Sequence, residues 1–322
     1  MNTLFKIREL GKSFPLHRGL AAHNSTVLVH AVKNVSLDIL EGEILGLVGE
    51  SGCGKTTLGR LTLRLIEPSQ GQAFFRGEDI FQLKPRALEK LRPQMQIIFQ
   101  DPFSSLNPRF TVERIVGEAM LIHGYATKAN LKDKVGALLE QVGLPRAYAS
   151  RYAHEFSGGQ RQRIGIARAI ALKPRYIVCD EPVSALDVSI QAQIINLLKS
   201  LQAENNLTLL FISHDLNVVS HISQRTAVMY LGEIVELAPT EKLHAKGAHP
   251  YTQLLLSAKP TLNPKLKGKE LTGKGEPPSP LDPPSGCHFH PRCPEAMDHC
   301  KTRAPELKEI EDGHQVRCHL YD

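Results

Sequence analysis

The segment GESGCGKT at residues 49–56 matches the spacing G-x-x-x-x-G-K-[ST], which is typical of loops that cradle phosphate groups. Glycines allow successive backbone N–H groups to point at phosphate oxygens. The helix predicted to begin near Lys55 adds its positive N-terminal end. We expect Lys55 to reach the β- and γ-phosphates of a nucleotide and the Thr56 hydroxyl to bind Mg²⁺. The predicted phosphate-binding residues are Gly49, Ser51, Gly52, Gly54, Lys55, Thr56 and Thr57.

Two consecutive carboxylates, Asp180 and Glu181, follow an apolar segment that predicts a strand at Tyr176–Asp180. A carboxylate at a strand tip is suited to hold Mg²⁺ through water, and the next one is suited to polarise an attacking water as a general base. An acidic turn after a strand is common by itself. The pair therefore gains its meaning from the phosphate loop, and we predict Asp180 to bind Mg²⁺ and Glu181 to be catalytic.

A second candidate anion site lies at residues 157–160, which read SGGQ. Ser157 followed three residues later by Gln160 forms a capping box, so a helix is predicted to begin here. Gly158 and Gly159 leave the end of this helix bare, which allows an anion to approach it closely.

The pattern of apolar segments predicts strands that alternate with helices, which is typical of a parallel sheet covered by helices. Residues 101–173 read almost entirely as helical and predict a subdomain inserted into this α/β domain. A polar segment at residues 16–26 predicts a loop between the first two strands. The predicted strands are 4–14, 27–39, 43–48, 95–100, 176–180, 208–213 and 226–230, and the predicted helices are 55–66, 111–123, 128–143, 158–172 and 188–205.

With these motifs in order, residues 1–258 resemble the ATPase subunits of ABC transporters, whose signature motif is similar to FSGGQRQR at residues 156–163. The resemblance implies the P-loop ABC ATPase fold, with a parallel sheet core, an antiparallel β part and a helical subdomain at about 101–173. It also implies that two such subunits pack head to tail, each ATP lying between one subunit's phosphate loop and the other's signature helix. By position, the resemblance implies that Gln100 is the Q-loop residue and a Mg²⁺ ligand, and that Asp187 is the D-loop residue. It implies that His214 is the switch histidine and that Phe14 stacks on adenine. It also implies that residues 157–160 form a nucleotide-binding helix end.

Further segments are similar to the ATPases of oligopeptide/dipeptide and nickel importers, and this similarity extends across essentially the whole chain. They lie at 103–109, 249–252, 276–281 and 284–287. The resemblance implies a heterodimer with a second, homologous ATPase subunit beneath two transmembrane permease subunits, supplied indirectly by a substrate-binding protein. The location it implies is the cytoplasmic face of the cell membrane, as a peripheral subunit. The cargo stays open between dipeptides, oligopeptides and nickel.

A composition change after residue 258 predicts a proline-rich linker at 259–286, which contains seven prolines between residues 260 and 284, and a cysteine-rich tail at 287–322. The tail contains four cysteines, and four soft thiolate ligands in a reducing compartment suit a metal ion or cluster. The spacing of the cysteines matches neither common zinc modules nor ferredoxins, and unliganded thiols are the plain alternative. The resemblance favours a [4Fe–4S] cluster, with Zn²⁺ as the alternative, held by Cys287, Cys293, Cys300 and Cys318.

Net charge and hydropathy narrow the function classes. The chain has 322 residues and a net charge of +6, and residues 146–175, with seven basic and one acidic residue, account for a surplus of that size. We expect Arg161 and Arg163 to favour a triphosphate in the partner's site, with no nucleic-acid partner. No membrane span or signal peptide is expected. A soluble ABC ATPase acting on DNA or ribosomes, and a redox sensor with an ATPase, are the less favoured alternatives.

Overall fold

The computed structural model describes residues 2–17, 26–257, 275–276 and 278–322. Most of the loop predicted at 16–26 and of the linker predicted at 259–286 lies outside these residues. Within them no helix is long and apolar enough to cross a membrane. The strands are β1 (Thr3–His17), β2 (Thr26–Leu40), β3 (Ile44–Val48), β4 (Gln70–Phe75), β5 (Glu78–Asp79), β6 (Met95–Ile98), β7 (Tyr176–Asp180), β8 (Thr208–Ser213), β9 (Arg225–Tyr230), β10 (Glu233–Pro239), β11 (Lys308–Glu311) and β12 (His314–Val316).

The helices of the described residues occupy the intervals between these strands. They are α1 (Lys55–Thr62), α2 (Pro85–Leu91), α3 (Val112–Ile122), α4 (Leu131–Gln141), α5 (Gly158–Ile170), α6 (Val188–Asn205), α7 (Leu216–Ile222), α8 (Thr240–Ala245) and α9 (Pro250–Ser257). Short 3-10 turns lie at Arg92–Gln94, Arg146–Ser150, Ala153–Glu155, Asp298–Lys301 and His319–Tyr321.

The chain divides into two compact units. Unit 1 comprises Met1–Leu4, Leu40–Glu43 and Gln82–Ile212. In it β6 pairs with β7 and β7 with β8, all parallel, and every residue of β7 is buried. Such uninterrupted burial requires the wholly apolar run that precedes Asp180. Helices α3, α4 and α5 pack on one another, so the predicted helical region forms a bundle in this unit.

Unit 2 comprises Phe5–Ile39, Ile44–Phe81 and Ser213–Asp322. Here β3 pairs with β9 in parallel, and β9, β10, β12 and β11 continue as antiparallel neighbours. A separate antiparallel sheet has the order β2-β1-β4-β5. Its core includes the ring contact between Phe5 and Phe75, whose centroids lie 5.9 Å apart. The buried β3 strand leads directly to the predicted phosphate loop.

The structure confirms the predicted α/β class, and its differences from the predicted elements have local causes. Helix α1 ends at Thr62 rather than near residue 66, because Arg64 adopts a left-handed φ of 46° that no helix can contain. Helix α6 ends as predicted, at Asn205, and the next residue, Asn206, has a left-handed φ of 49°. Strands β4 and β10 were not predicted, because β4 has an exposed polar first half and β10 carries a fully buried glutamate, Glu236.

Candidate functional site

The phosphate loop follows β3, and neighbouring backbone requires a glycine at two of its positions. A Cβ at Gly49 would lie 2.2 Å from the Met229 carbonyl oxygen, and a Cβ at Gly54 would lie 2.0 Å from that of Ala31. Gly54 also has a φ of 107°, which side-chain-bearing residues rarely adopt. At Gly49 and Gly54 the loop therefore packs tightly on β9 and β2, with no room for a larger residue at either position.

Lys55 lies at the start of α1 and is buried, with only 4% of its surface exposed. Its ammonium donates hydrogen bonds to the carbonyl oxygens of Gly49 and Glu50, at 2.8 and 2.9 Å. The charge is therefore held inside the curl of the loop. Burial raises the pKa of the neighbouring Cys53 thiol, so this cysteine is a neutral filler beside the lysine.

The phosphate loop and helix α1 fit a nucleoside triphosphate with Mg²⁺. Ser51 and Gly52 are exposed at the tip, and no atom lies within 4 Å of the position of a Cβ on Gly52. The space beside the loop backbone is therefore open to a ligand. Thr56 and Thr57 are half-buried at the first turn of α1, and a hydroxyl is the hard oxygen ligand that Mg²⁺ prefers.

Unit 1 brings together three of the predicted residues at the ends of parallel strands. Asp180, the last residue of β7, is buried at 4% exposure. Glu181 follows with a left-handed φ of 44°, an uncommon conformation for a residue with a side chain and one that clusters at functional sites. Gln100, two residues beyond β6, donates a hydrogen bond from Nε2 to Glu181 Oε2 at 3.0 Å. The predicted catalytic carboxylate is therefore oriented by the predicted Q-loop side chain.

The start of α5 has the predicted capping box. Ser157 Oγ accepts a hydrogen bond from the Gln160 N–H at 3.4 Å, and the Gln160 side chain accepts one from the Ser157 N–H at 3.1 Å. A Cβ on Gly159 would lie 2.7 Å from Ile190 of α6. Gly159 therefore serves helix packing as well as leaving the helix end bare.

The arginines inside α5 have structural partners. Arg161 donates to the Phe156 carbonyl at 2.9 Å and lies over the Phe103 ring at 4.3 Å. Arg163 donates to the Val142 carbonyl at 2.7 Å. These bonds account for both residues within unit 1, and their effect on a partner's nucleotide stays a prediction.

The remaining predicted residues lie at exposed positions. Phe14 of β1 is 39% exposed, with the Lys12 ammonium 5.1 Å from its ring. His214 follows β8, and Asp187 immediately precedes α6. An exposed aromatic ring is available for stacking, as the prediction for Phe14 requires, and the roles of Phe14, His214 and Asp187 stay predictions.

The C-terminal tail is anchored to the rest of unit 2 by backbone pairing and by contacts between polar side chains. Strand β12 pairs with β10. The carboxylate of Glu236 accepts the N–H groups of Ala248 and His249 at 2.8 and 2.9 Å, and it lies 2.8 Å from Nε2 of His314. A second anchor joins Arg292 to Glu50 of the phosphate loop.

The predicted metal site in the tail is wrong. Among the residues that the structure describes, which include all four tail cysteines, no group of three or more His, Cys, Asp or Glu side chains can hold a metal ion. Burial raises the pKa of the Cys287, Cys293 and Cys318 thiols to about 11. The protein contacts described above hold the tail in place. The expected iron–sulfur cluster or zinc ion finds no group of three or more ligands among the described residues.

Sequence reasoning missed Glu50, Tyr251 and Arg292 as residues of the phosphate-loop region. Glu50 occupies a free position of the motif, so the motif assigns it no role. Its N–H donates to the Tyr251 hydroxyl at 2.9 Å, and Tyr251 is fully buried. The segment 249–252 was noticed only as a subfamily feature, and no sequence signal connected it with the loop.

Two models of known protein families match this chain. A family model described as ABC transporter matches residues 32–184. A second, described as the C-terminal region of oligopeptide/dipeptide transporters, matches residues 235–300. The two matches cover the phosphate loop, Gln100, α5 and Glu181, and then the part of the tail that includes Arg292.

Relatives match over nearly the full chain. The oligopeptide transport ATP-binding protein AppF of Bacillus subtilis is 52% identical over 322 residues, covering 99% of this chain and 98% of AppF. A Brucella ovis protein, described by name as a candidate ATP-binding protein for peptide import, is 54% identical over 303 residues, covering 94% of this chain and 96% of its own. Among solved structures, a post-hydrolysis dimer of the ATP-binding cassette MJ0796 with ADP and Pi has a TM-score of 0.65 and 28% identity, covering 73% of this chain and 98% of the cassette.

Proposed function

This chain belongs to the ATP-binding subunits of oligopeptide/dipeptide ABC transporters and is an ATPase, and we propose that it powers the import of peptides. The observation that carries the peptide cargo is the similarity that continues beyond the ATPase domain into residues 235–300. A nickel cargo is not favoured, because the relatives described above are named for peptides.

In the proposed mechanism the loop residues bind the triphosphate through backbone N–H groups, and Lys55 neutralises its charge. Thr56, Gln100 and Asp180 are the Mg²⁺ ligands of this proposal; Mg²⁺ supplies charge stabilisation at the transferring phosphoryl group when bound. Glu181 acts as the general base that takes a proton from the attacking water, and the Gln100 side chain, 3.0 Å away, holds its carboxylate in place. His214 assists, and Phe14 stacks on the adenine.

The working unit is a dimer with a second, homologous ATPase subunit, in which the Ser157–Gln160 helix end of each subunit completes the other's ATP site. Asp187 belongs to the same dimer contact. The solved cassette described as dimeric with ADP and Pi supports this arrangement. Two permease subunits and, indirectly, a substrate-binding protein complete the transporter, and the chain works as a peripheral subunit on the cytoplasmic face of the membrane.

The variant Glu181→Gln tests the general base. Glutamine keeps the size of the side chain and an oxygen that accepts from Gln100, but it takes up no proton. We expect ATP to bind as in the wild type, kcat to fall at least about 100-fold, and a closed dimer to accumulate with ATP. Glu204→Gln, an exposed position on α6 of the same unit, is the control and keeps wild-type turnover. Wild-type turnover in Glu181→Gln would remove this role from Glu181.

Transport itself is tested in membrane vesicles that hold the complete complex. Uptake of labelled di- and oligopeptides is expected to need ATP and the binding protein, and to stop with Glu181→Gln. Uptake of labelled nickel with no uptake of peptide would contradict the proposed cargo.

A further inference from the structure

We propose that Arg292 of the C-terminal tail is a positioning residue for the ATPase reaction, which sets the conformation and charge of the phosphate loop by holding the side chain of Glu50. The two guanidinium NH groups each donate to one carboxylate oxygen of Glu50, both at 2.8 Å. This is the two-point geometry in which an arginine fixes the direction of a carboxylate as well as its position.

The guanidinium group is held rigidly by its surroundings. The Arg292 side chain is 8% exposed, and its guanidinium carbon lies 5.9 and 5.8 Å from the ring centres of Tyr230 and Phe289. The rings of Tyr230, Tyr251 and Phe289 contact one another with centroids 4.6 to 5.4 Å apart. An arginine confined among buried rings loses little further freedom when it binds a carboxylate.

Glu50 receives a contact at each of its polar groups. Its carboxylate binds Arg292, its N–H donates to the Tyr251 hydroxyl at 2.9 Å, and its carbonyl accepts from Lys55 at 2.9 Å. The lysine that neutralises the triphosphate is therefore bonded to the same residue that the tail holds. A shift of the Glu50 side chain would move the loop backbone and the carbonyl that orients Lys55.

The ion pair between Arg292 and Glu50 also sets the charge of the phosphate loop. A free carboxylate on the phosphate loop would repel a triphosphate, and Arg292 cancels that charge. The pKa of Arg292 is raised above its usual range, chiefly by its hydrogen bonds to Glu50, so the group stays cationic. Removing Arg292 therefore leaves an unpaired, half-buried negative charge beside the nucleotide, whereas removing both charges does not.

This inference rests on the ATPase activity and is tested by steady-state ATP hydrolysis of the full-length chain, with its melting temperature measured in parallel. We expect Arg292→Met to raise KM for ATP about tenfold, a modest loss for one partner of a two-point charged pair, with kcat changed less than threefold. In the Glu50→Gln background the same substitution is expected to change KM less than threefold. Arg292→Lys, which keeps the charge and loses the two-point geometry, is expected to lie between Arg292→Met and the wild type.

The control is Lys308→Met, which removes an ion pair to Asp322 elsewhere in the tail and is expected to leave KM unchanged. A KM for Arg292→Met equal to that of the wild type would overturn the inference, and so would the same rise in both backgrounds. Should Arg292→Met fail to fold, the comparison of Arg292→Lys with and without Glu50→Gln decides by the same two criteria. Absence of turnover in the wild-type chain would contradict the ATPase assignment instead, so the two failures are distinguishable.

Discussion

The substitution Gly54→Ala tests the account of the phosphate loop, because two separate penalties meet at this position. The φ of 107° is one, and it costs a residue with a Cβ about 1–2 kcal/mol. The other is the overlap of that Cβ with the Ala31 carbonyl oxygen at 2.0 Å, a backbone atom of β2 that cannot swing away. Forcing atoms into such a place costs about 1–3 kcal/mol, so the free energy of unfolding is expected to fall by about 2–5 kcal/mol.

Gly52→Ala is the matched control, because Gly52 has a φ of 79° but nothing within 4 Å of the position of its Cβ. It carries only the first penalty, about 1–2 kcal/mol. Urea unfolding of the full chain without nucleotide, followed by circular dichroism, is the assay. We expect a lower urea midpoint for Gly54→Ala than for Gly52→Ala, and, in thermal unfolding, a melting temperature lower by at least about 1.5 °C. Equal midpoints would refute the idea that contact with β2 dictates this glycine.

Two further predictions concern the attachment of the tail and the pH dependence of stability. Glu236→Leu leaves His314 and two buried backbone N–H groups without their acceptor, so we expect the free energy of unfolding in urea to fall by about 3–5 kcal/mol. The control Lys242→Met removes the exposed ion pair with Glu311 and should lower it by less than about 1 kcal/mol. Similar losses for the two variants would contradict the role of Glu236 as an anchor. Burial lowers the pKa of His249 to about 3, so below pH 6.5 the unfolded chain binds more protons than the folded chain. The free energy of unfolding therefore decreases as the pH falls, and between pH 7.5 and pH 5 this one residue accounts for a decrease of about 2 kcal/mol. His249→Asn should flatten that pH dependence, and an unchanged slope would contradict it.

The local parts of the site were predictable because they depend on residues close together in the chain. The loop at residues 49–56 and the capping box of Ser157 and Gln160 are each set by backbone bonding within about one turn. Strands such as β7 were predictable because a fully buried strand must be a continuous apolar run. The end of α1 was missed by several residues, since nothing in the pattern announces the left-handed Arg64.

The tail cysteines show where sequence reasoning went too far. Their number and their presence in one segment favoured a metal, but spacing along a chain does not give the arrangement of thiols or their state of protonation. The tertiary structure decides that arrangement, and among the described residues it forms no group of three or more side chains that can hold a metal ion.

By itself, the sequence determined the ATPase family, the order of the motifs and the identity of the phosphate loop. Only the tertiary structure decided what holds that loop, because Glu50 and Arg292 are separated by 242 positions and neither stands in a recognisable pattern with the other. Their meeting depends on the pairing of β12 with β10 and on the packing of Phe289 against Tyr230 and Tyr251. Such contacts arise from the packing of distant segments, which no local periodicity records.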